Sequence, residues 1–268
     1  MQVLQIGPLS ISYSVLVLIA AIIIGTCVGQ WWARRRKQQD IEPIFFSRIV
    51  LPSLLLARLG FVAQYHEAYL GDPITIIDVR DGGIDPWIGI ICAWLIGLWH
   101  VRRNARLRAG LVAAIGCASL IAAGGTLTLD PSRNAIALPA LQFSRLNGEP
   151  LELQRYAGKP LVLNLWATWC PHCVREMPVL AKAQQRHPEI GFVFLNQGED
   201  ADTIRRFLQR RRLHSDHVLL DPRGLASKHF GQRALPSTLF FSSDGRLVEI
   251  RIGALSEATL QQRLKRLF

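Results

Sequence analysis

The stretch that decides the fold is PLVLNLWATWCPHCVREMPVLAKAQQR, residues 160–186. Its first seven residues are almost wholly apolar, as expected of a central β-strand that is covered on both faces. Its second half repeats apolar positions at helical spacing, and Pro171 fits the first turn, where a missing N–H costs nothing. Cys170 and Cys173 lie between the two elements. A Cys-x-x-Cys at the junction of a strand and a helix predicts a dithiol placed for disulfide exchange.

The two cysteines are expected to have different roles. Cys170 would lie at the N-terminus of the helix, where the helix dipole and free backbone N–H groups favour its thiolate. Cys173, one turn further, can attack a mixed disulfide and release the product. The alternative is half of a structural zinc site, which would need a second Cys-x-x-Cys or a His pair at ligand spacing. The sequence offers neither, so we expect no metal and no other cofactor.

The residues around this stretch predict an α/β domain with a central mixed sheet. Strands alternate with helices and finish in an antiparallel hairpin, whose turn is Asp244-Gly245. Asn147-Gly148 predicts a first hairpin, with strands at 141–144 and 151–153. The other predicted strands are 191–195, 217–220, 238–242 and 246–252, and the other predicted helices are 202–212, 222–230 and one that begins at Ser256.

The first half of the chain has a different composition and predicts an α-helical membrane domain. Hydrophobic residues make up 50% of the whole chain and charged residues only 19%, and the apolar residues concentrate before Asp130. A membrane span needs about 20 apolar residues. Four segments predict about four transmembrane helices: 9–32, 44–65, 87–100 and 109–129. We therefore expect a membrane domain over 1–129 with no cleaved signal peptide, a linker over 130–140, and the α/β domain over 141–268.

The charged loops predict the orientation in the membrane. The loops after the first and third spans are basic, whereas the loop between the second and third carries five acidic residues and a lone Arg80. Basic loops stay in the cytoplasm, so the C-terminal domain should face the periplasm of a bacterial inner membrane. Much of the basic charge lies in runs that flank apolar spans, at 34–37 and 102–108, and such runs are typical topology determinants, so nucleic acid is not an expected partner. The remaining run, residues 205–212, predicts a solvated helix face.

Several residues inside the spans are open to two interpretations. Arg58 is costly in lipid, so we expect it to face the bundle interior, to snorkel, or to pair with an acid such as Glu67. Cys27, Cys92 and Cys117 are either small buried hydrophobic residues or members of an electron relay across the membrane.

The segment Trp166 to Cys173 resembles the active-site segment of thioredoxin-fold proteins of the TlpA/ResA type. That resemblance implies roles for further residues, which are expectations. Glu176 matches an acidic residue near the cysteines and is a candidate proton carrier for Cys173. Leu235-Pro236 resembles the cis-proline loop that faces the cysteines and would dock the substrate chain. Asn164 takes the place of a buried Asp in thioredoxin, and Pro178 that of a helix-kinking proline.

Two residues of the motif leave a question open. Trp169 either frames the site or packs in the core. His172 departs from the TlpA/ResA pattern, because Pro-His between the cysteines is typical of the oxidant DsbA. A positive or hydrogen-bonding His beside Cys170 would stabilise the reduced form and make the pair more oxidising.

The first hundred residues resemble the prolipoprotein diacylglyceryl transferases, the Lgt family. The matching stretches are Ile6-Gly7-Pro8, Ala57-Arg58-Leu59-Gly60 with Tyr65, Asp72-Pro73 and Asp81-Gly82-Gly83. Asp85-Pro86-Trp87 stands where that family has His-Gly-Gly, and the later helices with further essential Arg residues are missing. We interpret this half as a truncated Lgt-like module that is not a working transferase.

Together these features predict a membrane-anchored periplasmic oxidoreductase that reduces disulfides in extracytoplasmic thiol proteins. A membrane electron donor of the CcdA/DsbD type would keep its dithiol reduced. The alternatives are a DsbA-like oxidase or isomerase, a lipid-modifying transferase-like protein, and a non-catalytic membrane scaffold.

Overall fold

A computed structural model describes residues 3–6, 9–36, 44–70, 73–78, 81–128, 136–213, 217–232 and 234–268. The first part of the predicted linker, up to residue 135, lies outside these ranges, as do the predicted motif residues Gly7, Pro8 and Asp72 and the loop residue Arg80. The chain divides into two compact units, one within Gln2–Asp130 and one within Pro131–Phe268.

The N-terminal unit is helical, as predicted. A short antiparallel hairpin, β1 (Val3–Ile6) and β2 (Leu9–Ser12), precedes the helices. The first predicted helix therefore begins at Tyr13 and not at Leu9. The helices are α1 (Tyr13–Arg35), a π-helical segment (Phe45–Val50) that continues as α2 (Leu51–Gln64), α3 (His66–Leu70), α4 (Pro86–Arg103) and α5 (Arg108–Thr128).

Three helical stretches in the described residues are long and apolar enough to cross a membrane: Leu16–Arg35, Phe45–Gln64 and Ala105–Gly125. They correspond to the first, second and fourth predicted spans. The third predicted span forms α4, which has 18 residues and ends in Arg102 and Arg103. Asp85 caps this helix, because its carboxylate accepts hydrogen bonds from the backbone of Trp87 at 2.9 Å and Ile88 at 3.1 Å.

Helices α1 and α5 approach closely because small residues face each other. A Cβ atom on Gly29 would lie 2.7 Å from the Cβ of Ala114, and one on Gly25 would lie 2.8 Å from the Ala114 carbonyl oxygen. Both glycines therefore have no room for a side chain. Gly125, on α5, is packed as closely, because a Cβ atom there would lie 2.4 Å from Cγ1 of Val17.

Arg58, on α2, is buried and saturated with hydrogen bonds. Its Nη1 donates to Asp81 at 3.0 Å and to the Gly83 carbonyl at 2.7 Å. Its Nη2 and Nε donate to the carbonyls of Thr75, Asp78 and Ile76. A guanidinium has five N–H donors, and all five are used here. The acidic partner is Asp81 and not Glu67, the acid that the sequence analysis had named.

The C-terminal unit contains a seven-stranded mixed sheet. The strands are β3 (Gln142–Arg145), β4 (Pro150–Glu152), β5 (Leu161–Trp166), β6 (Gly191–Gln197), β7 (Val218–Asp221), β8 (Ser237–Phe241) and β9 (Leu247–Ile252). Their order in the sheet is β4-β3-β7-β6-β5-β8-β9. Strands β5, β6 and β7 are parallel, and the other neighbours are antiparallel. The helices are α6 (Pro171–Arg186), α7 (Ala201–Arg211), α8 (Leu225–His229) and α9 (Glu257–Leu267).

The central strand β5 is buried at all six positions, which is why its sequence lacks the polar alternation of a half-exposed strand. One face of the sheet packs against α6, α7 and α9, in a core cluster that includes Trp166, Phe192 and Leu264. A second cluster, which includes Leu163, Val193 and Phe241, covers the opposite face. The mixed sheet between two apolar layers confirms the predicted α/β class.

Candidate active site

The two cysteines of the motif lie at the start of α6, directly after the central strand. Cys170 is the N-cap of that helix and Pro171 occupies its first turn. Cys170 and Cys173 form a disulfide with their Cα atoms 5.3 Å apart. The backbone N–H of Cys173 points at the Cys170 Sγ, at 3.2 Å. The sulfur of Cys170 therefore receives a helix N–H group, which is the contact that would stabilise a thiolate.

Glu176 is a buried acid one turn beyond Cys173. Only 1% of it is exposed. Its carboxylate accepts hydrogen bonds from the Leu255 backbone at 3.0 Å and from Asn164 Nδ2 at 2.6 Å. Burial raises the pKa of Glu176 to about 7, against the opposing effect of these two hydrogen bonds and of the charge of Arg251. At neutral pH such a carboxyl can both accept and give up a proton.

The peptide bond between Leu235 and Pro236 is cis, as the resemblance implied. Leu235 packs against the core cluster that contains Cys170 and Cys173. The hydroxyl of Ser237 donates to the Ala234 carbonyl at 2.6 Å, across this loop. The structure therefore places the Leu235-Pro236 loop against the same core as both cysteines.

Trp169 and His172 lie on the surface beside the disulfide. The Trp169 side chain is 69% exposed, so it does not pack in the core. The His172 ring Nδ1 lies 2.8 Å from Nη2 of Arg175, one helical turn later. Because a guanidinium can only donate, Nδ1 of His172 is the acceptor of this hydrogen bond.

Glu199, which lies just after β6, is a residue of the site that the sequence did not predict. Its carboxylate accepts hydrogen bonds from the Thr168 backbone and hydroxyl, at 2.7 and 2.5 Å, and from Asn196 at 2.7 Å. Thr168 belongs to the loop that leads to Cys170. One signal was available: Glu199 follows a predicted strand that could neighbour the cysteine-bearing strand, and parallel neighbours end at the same edge of a sheet.

Comparison with known proteins identifies the domain that carries this site. Residues 134–264 match the Redoxin family model. The thiol-disulfide oxidoreductase ResA of Halalkalibacterium halodurans is 33% identical over 119 residues, which are 44% of this chain and 67% of that protein. The chain belongs to the ResA family of thiol–disulfide oxidoreductases. The thioredoxin-like protein YneN of Bacillus subtilis is 27% identical to the ResA-type domain over 130 residues, 75% of its length.

A second family model covers the other half of the chain. Residues 1–127 match the prolipoprotein diacylglyceryl transferase family, so the ResA-type domain follows an Lgt-like region. Among solved structures, a secreted disulfide oxidoreductase of Mycobacterium tuberculosis covers 48% of this chain, with 26% identity and a TM-score of 0.44. Cys27, Cys92 and Cys117 of the Lgt-like region are free thiols.

Proposed function

We propose that the chain is anchored in a bacterial inner membrane, and that its ResA-type domain faces the periplasm and reduces disulfides in client proteins. The observation that carries this proposal is the Cys170–Cys173 disulfide at the N-terminus of α6, with Glu176 buried one turn further on. The three helices long enough to cross a membrane, and the match of residues 1–127 to an integral membrane enzyme family, support the anchoring.

Cys170 is the attacking thiolate in this proposal, and Cys173 is the resolving thiol. In the reduced protein, Cys170 attacks one sulfur of a client disulfide, and the other client sulfur leaves as a thiolate. Cys173 then loses its proton and attacks Cys170 in the mixed disulfide. The second client sulfur leaves and takes up a proton. Two electrons pass from the dithiol to the client, and the Cys170–Cys173 disulfide forms.

Glu176 serves as the proton acceptor for Cys173. Residues three apart on a helix share a face, and both side chains are buried, so bulk water is a poor alternative acceptor. A pKa near 7 suits proton transfer in both directions at neutral pH. We propose that Leu235 and Pro236 dock the client chain beside the disulfide, and that Trp169 frames the entrance with its exposed ring.

His172 bears on the direction of electron flow. A protonated His172 would stabilise the Cys170 thiolate and would make the pair a stronger oxidant. In this structure Nδ1 of His172 accepts a hydrogen bond from Arg175. We keep the reductase as the first candidate. The DsbA-like oxidase or isomerase remains the second candidate, since its Pro-His dipeptide is present in residues 171–172.

The proposed arrangement has a membrane domain over 1–129, a linker over 130–140 and the redox domain over 141–268. The basic loops after the first and third spans would lie in the cytoplasm. A membrane electron donor of the CcdA/DsbD type would return the disulfide to the dithiol, and thiol proteins outside the cytoplasm would be the clients. The saturated donors of Arg58 count against a lipid transferase, since no N–H of this arginine is left for an anionic headgroup.

The decisive experiment is the reduction potential of the full chain in detergent, equilibrated in glutathione buffers. Cys27, Cys92 and Cys117 are replaced by Ala in every sample, so that only one pair can react, and Cys170→Ala in that background is the blank. A value near that of thioredoxin, about −270 mV, supports the reductase. One near that of DsbA, about −120 mV, supports the oxidase. Absence of a reversible two-electron couple would contradict both the reductase and the oxidase. Full cellular activity of a protein that carries Cys170→Ser and Cys173→Ser would support the non-catalytic membrane scaffold.

A further inference from the structure

The loop that presents Cys170 is held from outside by one carboxylate. Residues 167–169 belong to neither β5 nor α6, and within the loop the Cys170 N–H reaches the Ala167 carbonyl at 3.3 Å. Thr168, in the middle of this loop, has two hydrogen-bond donors. Both of them point at Glu199: the backbone N–H at 2.7 Å and the hydroxyl at 2.5 Å. The loop therefore depends on Glu199 for its tertiary hydrogen bonds at Thr168.

The neighbouring strand fixes Glu199 in that place. Asn196, near the end of β6, pairs in parallel register with Trp166, the last residue of β5. Asn196 Nδ2 donates to Glu199 Oε2 at 2.7 Å. The Glu199 carboxylate is thus shared between the end of β6 and the loop that follows the neighbouring strand β5. The adjacent acid, Asp200, is used differently: it caps α7 through the backbone and hydroxyl of Thr203, at 2.8 and 3.0 Å.

Two consequences for the redox pair follow from this geometry. Thr168 lies two residues before Cys170, so their Cα atoms are at most about 7 Å apart. A negative charge bound to Thr168 is close enough to disfavour a thiolate on Cys170. The two donors of Thr168 are also occupied, so they are not available to the sulfur. Both effects weaken the stabilisation of the reduced, thiolate form.

We propose that Glu199 is a positioning residue of the redox loop, and that its negative charge keeps the Cys170–Cys173 pair at a more reducing potential. This inference rests on the proposed function, since it assumes that this pair is the redox couple. Glu199 touches neither cysteine and acts through Thr168. Its role would help a protein with a Pro-His dipeptide to operate as a reductase.

The variant Glu199→Gln separates charge from shape. The amide oxygen can accept from the Thr168 N–H and from Asn196, and the amide nitrogen can donate to the Thr168 hydroxyl oxygen, so three hydrogen bonds are possible. Glu199→Ala removes both charge and hydrogen bonds. Asp200→Asn is the matched control, because it removes the same charge one residue away and Asn still caps the helix.

The test measures the glutathione equilibrium of the full chain in detergent, with Cys27, Cys92 and Cys117 replaced by Ala. In this reaction the protein disulfide and two glutathione thiols give the protein dithiol and one glutathione disulfide. We expect Glu199→Gln to raise the equilibrium constant about three- to tenfold, where tenfold is about 30 mV for two electrons. Asp200→Asn should leave it unchanged. Glu199→Ala should also slow reduction of insulin, because its loop is no longer held.

An unchanged equilibrium constant in Glu199→Gln overturns the proposal, as does an equal rise in Asp200→Asn. This failure is distinct from failure of the proposed function, in which the parent protein itself would show no reversible couple. A Glu199→Ala protein that reduces insulin as fast as the parent would contradict the positioning role.

Discussion

At the scale of single residues, the site contains one buried acid on a helix and a neutral amide on the adjoining strand. Asn164 donates from Nδ2 to Glu176 at 2.6 Å and to the Thr238 hydroxyl at 3.0 Å. An Asp at position 164 would place a second carboxylate against Glu176, and two such groups cannot both be ionised easily. With an amide at position 164, Glu176 is the one residue of the two that can exchange a proton.

The first prediction concerns the proton acceptor. The deprotonated fraction of Glu176 rises as the pH rises through about 7, so resolution of the mixed disulfide by Cys173 should accelerate over that range. From one pH unit below the pKa of Glu176 to one unit above it, the rate of this resolution step should rise about tenfold through the ionised carboxylate. Single-turnover release of the second client thiol, measured from pH 6 to pH 8, checks this. Glu176→Gln should lose the gain and retain only the dependence of the thiol itself.

Glu189→Gln is the control for that experiment, since Glu189 is an exposed carboxylate beyond the end of α6, beside His187. It should behave as the parent protein does. An identical pH profile in Glu176→Gln and the parent would remove Glu176 from the proton path.

Residues of the site were predictable to the extent that they lie close in sequence to the cysteines or match a known motif. Cys170, Cys173 and Pro171 follow from local pattern, and the cis Leu235-Pro236 bond followed from resemblance. Glu199 was missed because its contact with Thr168 depends on which strand lies beside β5. The catalytic roles of all these residues stay predictions.

At the scale of elements, the start of α9 is coupled to the buried acid. Ser256 caps this helix: its hydroxyl accepts from the Thr259 backbone at 3.2 Å, and Thr259 Oγ1 accepts in return from the Ser256 N–H at 3.0 Å. Leu255, one residue earlier, donates its N–H to Glu176. The capping box therefore orders the backbone that holds one oxygen of the carboxylate.

The second prediction is that Ser256→Ala loosens this helix start. Loss of a serine N-cap costs about 1 kcal/mol. This cost corresponds to an about fivefold larger equilibrium constant for local opening, and so to faster hydrogen exchange. Hydrogen exchange of residues 257–267 in the full chain measures this. Ser256→Asp keeps a capping acceptor and should exchange as the parent does; equal exchange in Ser256→Ala would contradict the capping role.

Elements with a strong apolar pattern were predicted well, and short or non-local ones were not. Strand β5 and helix α6 lie where the quoted stretch places them. The β1–β2 hairpin was missed because Leu9 and Ile11 were assigned to the long apolar run that forms α1. The pairing of β3 with β7 joins Ser144 to Leu220, and no local pattern specifies a partner so distant in the chain.

At the scale of the whole molecule, the third prediction concerns the three cysteines of the N-terminal unit. They are free thiols, Cys27 exposed and the other two half-buried. If they are small hydrophobic residues and not a relay, the protein with all three replaced by Ala should keep its C-terminal dithiol reduced in cells. Alkylation of cell extracts and a mobility shift on gels measure that state. Accumulation of the oxidised form would instead support the relay.

The fourth prediction concerns the buried ion pair of that unit. Arg58 and Asp81 are 6% and 7% exposed and lie 3.0 Å apart. Removing one member of a buried pair costs about 3–5 kcal/mol, because the other charge stays buried alone. Arg58→Ala and Asp81→Ala should each lower the melting temperature in detergent. Arg48→Ala, at an exposed arginine of the same helical stretch, is the control, and equal melting of all variants would contradict a structural pair.

In the proposed membrane-anchored arrangement, the same pair bears on how this unit would enter the membrane. Opposite unit charges in contact cancel at a distance, so together they present a dipole to the surrounding hydrocarbon and not an ion, which greatly reduces the electrostatic penalty. Helix α2 alone would carry the uncompensated cation. Insertion of α2 would therefore be favoured by folding of the segment that carries Asp81.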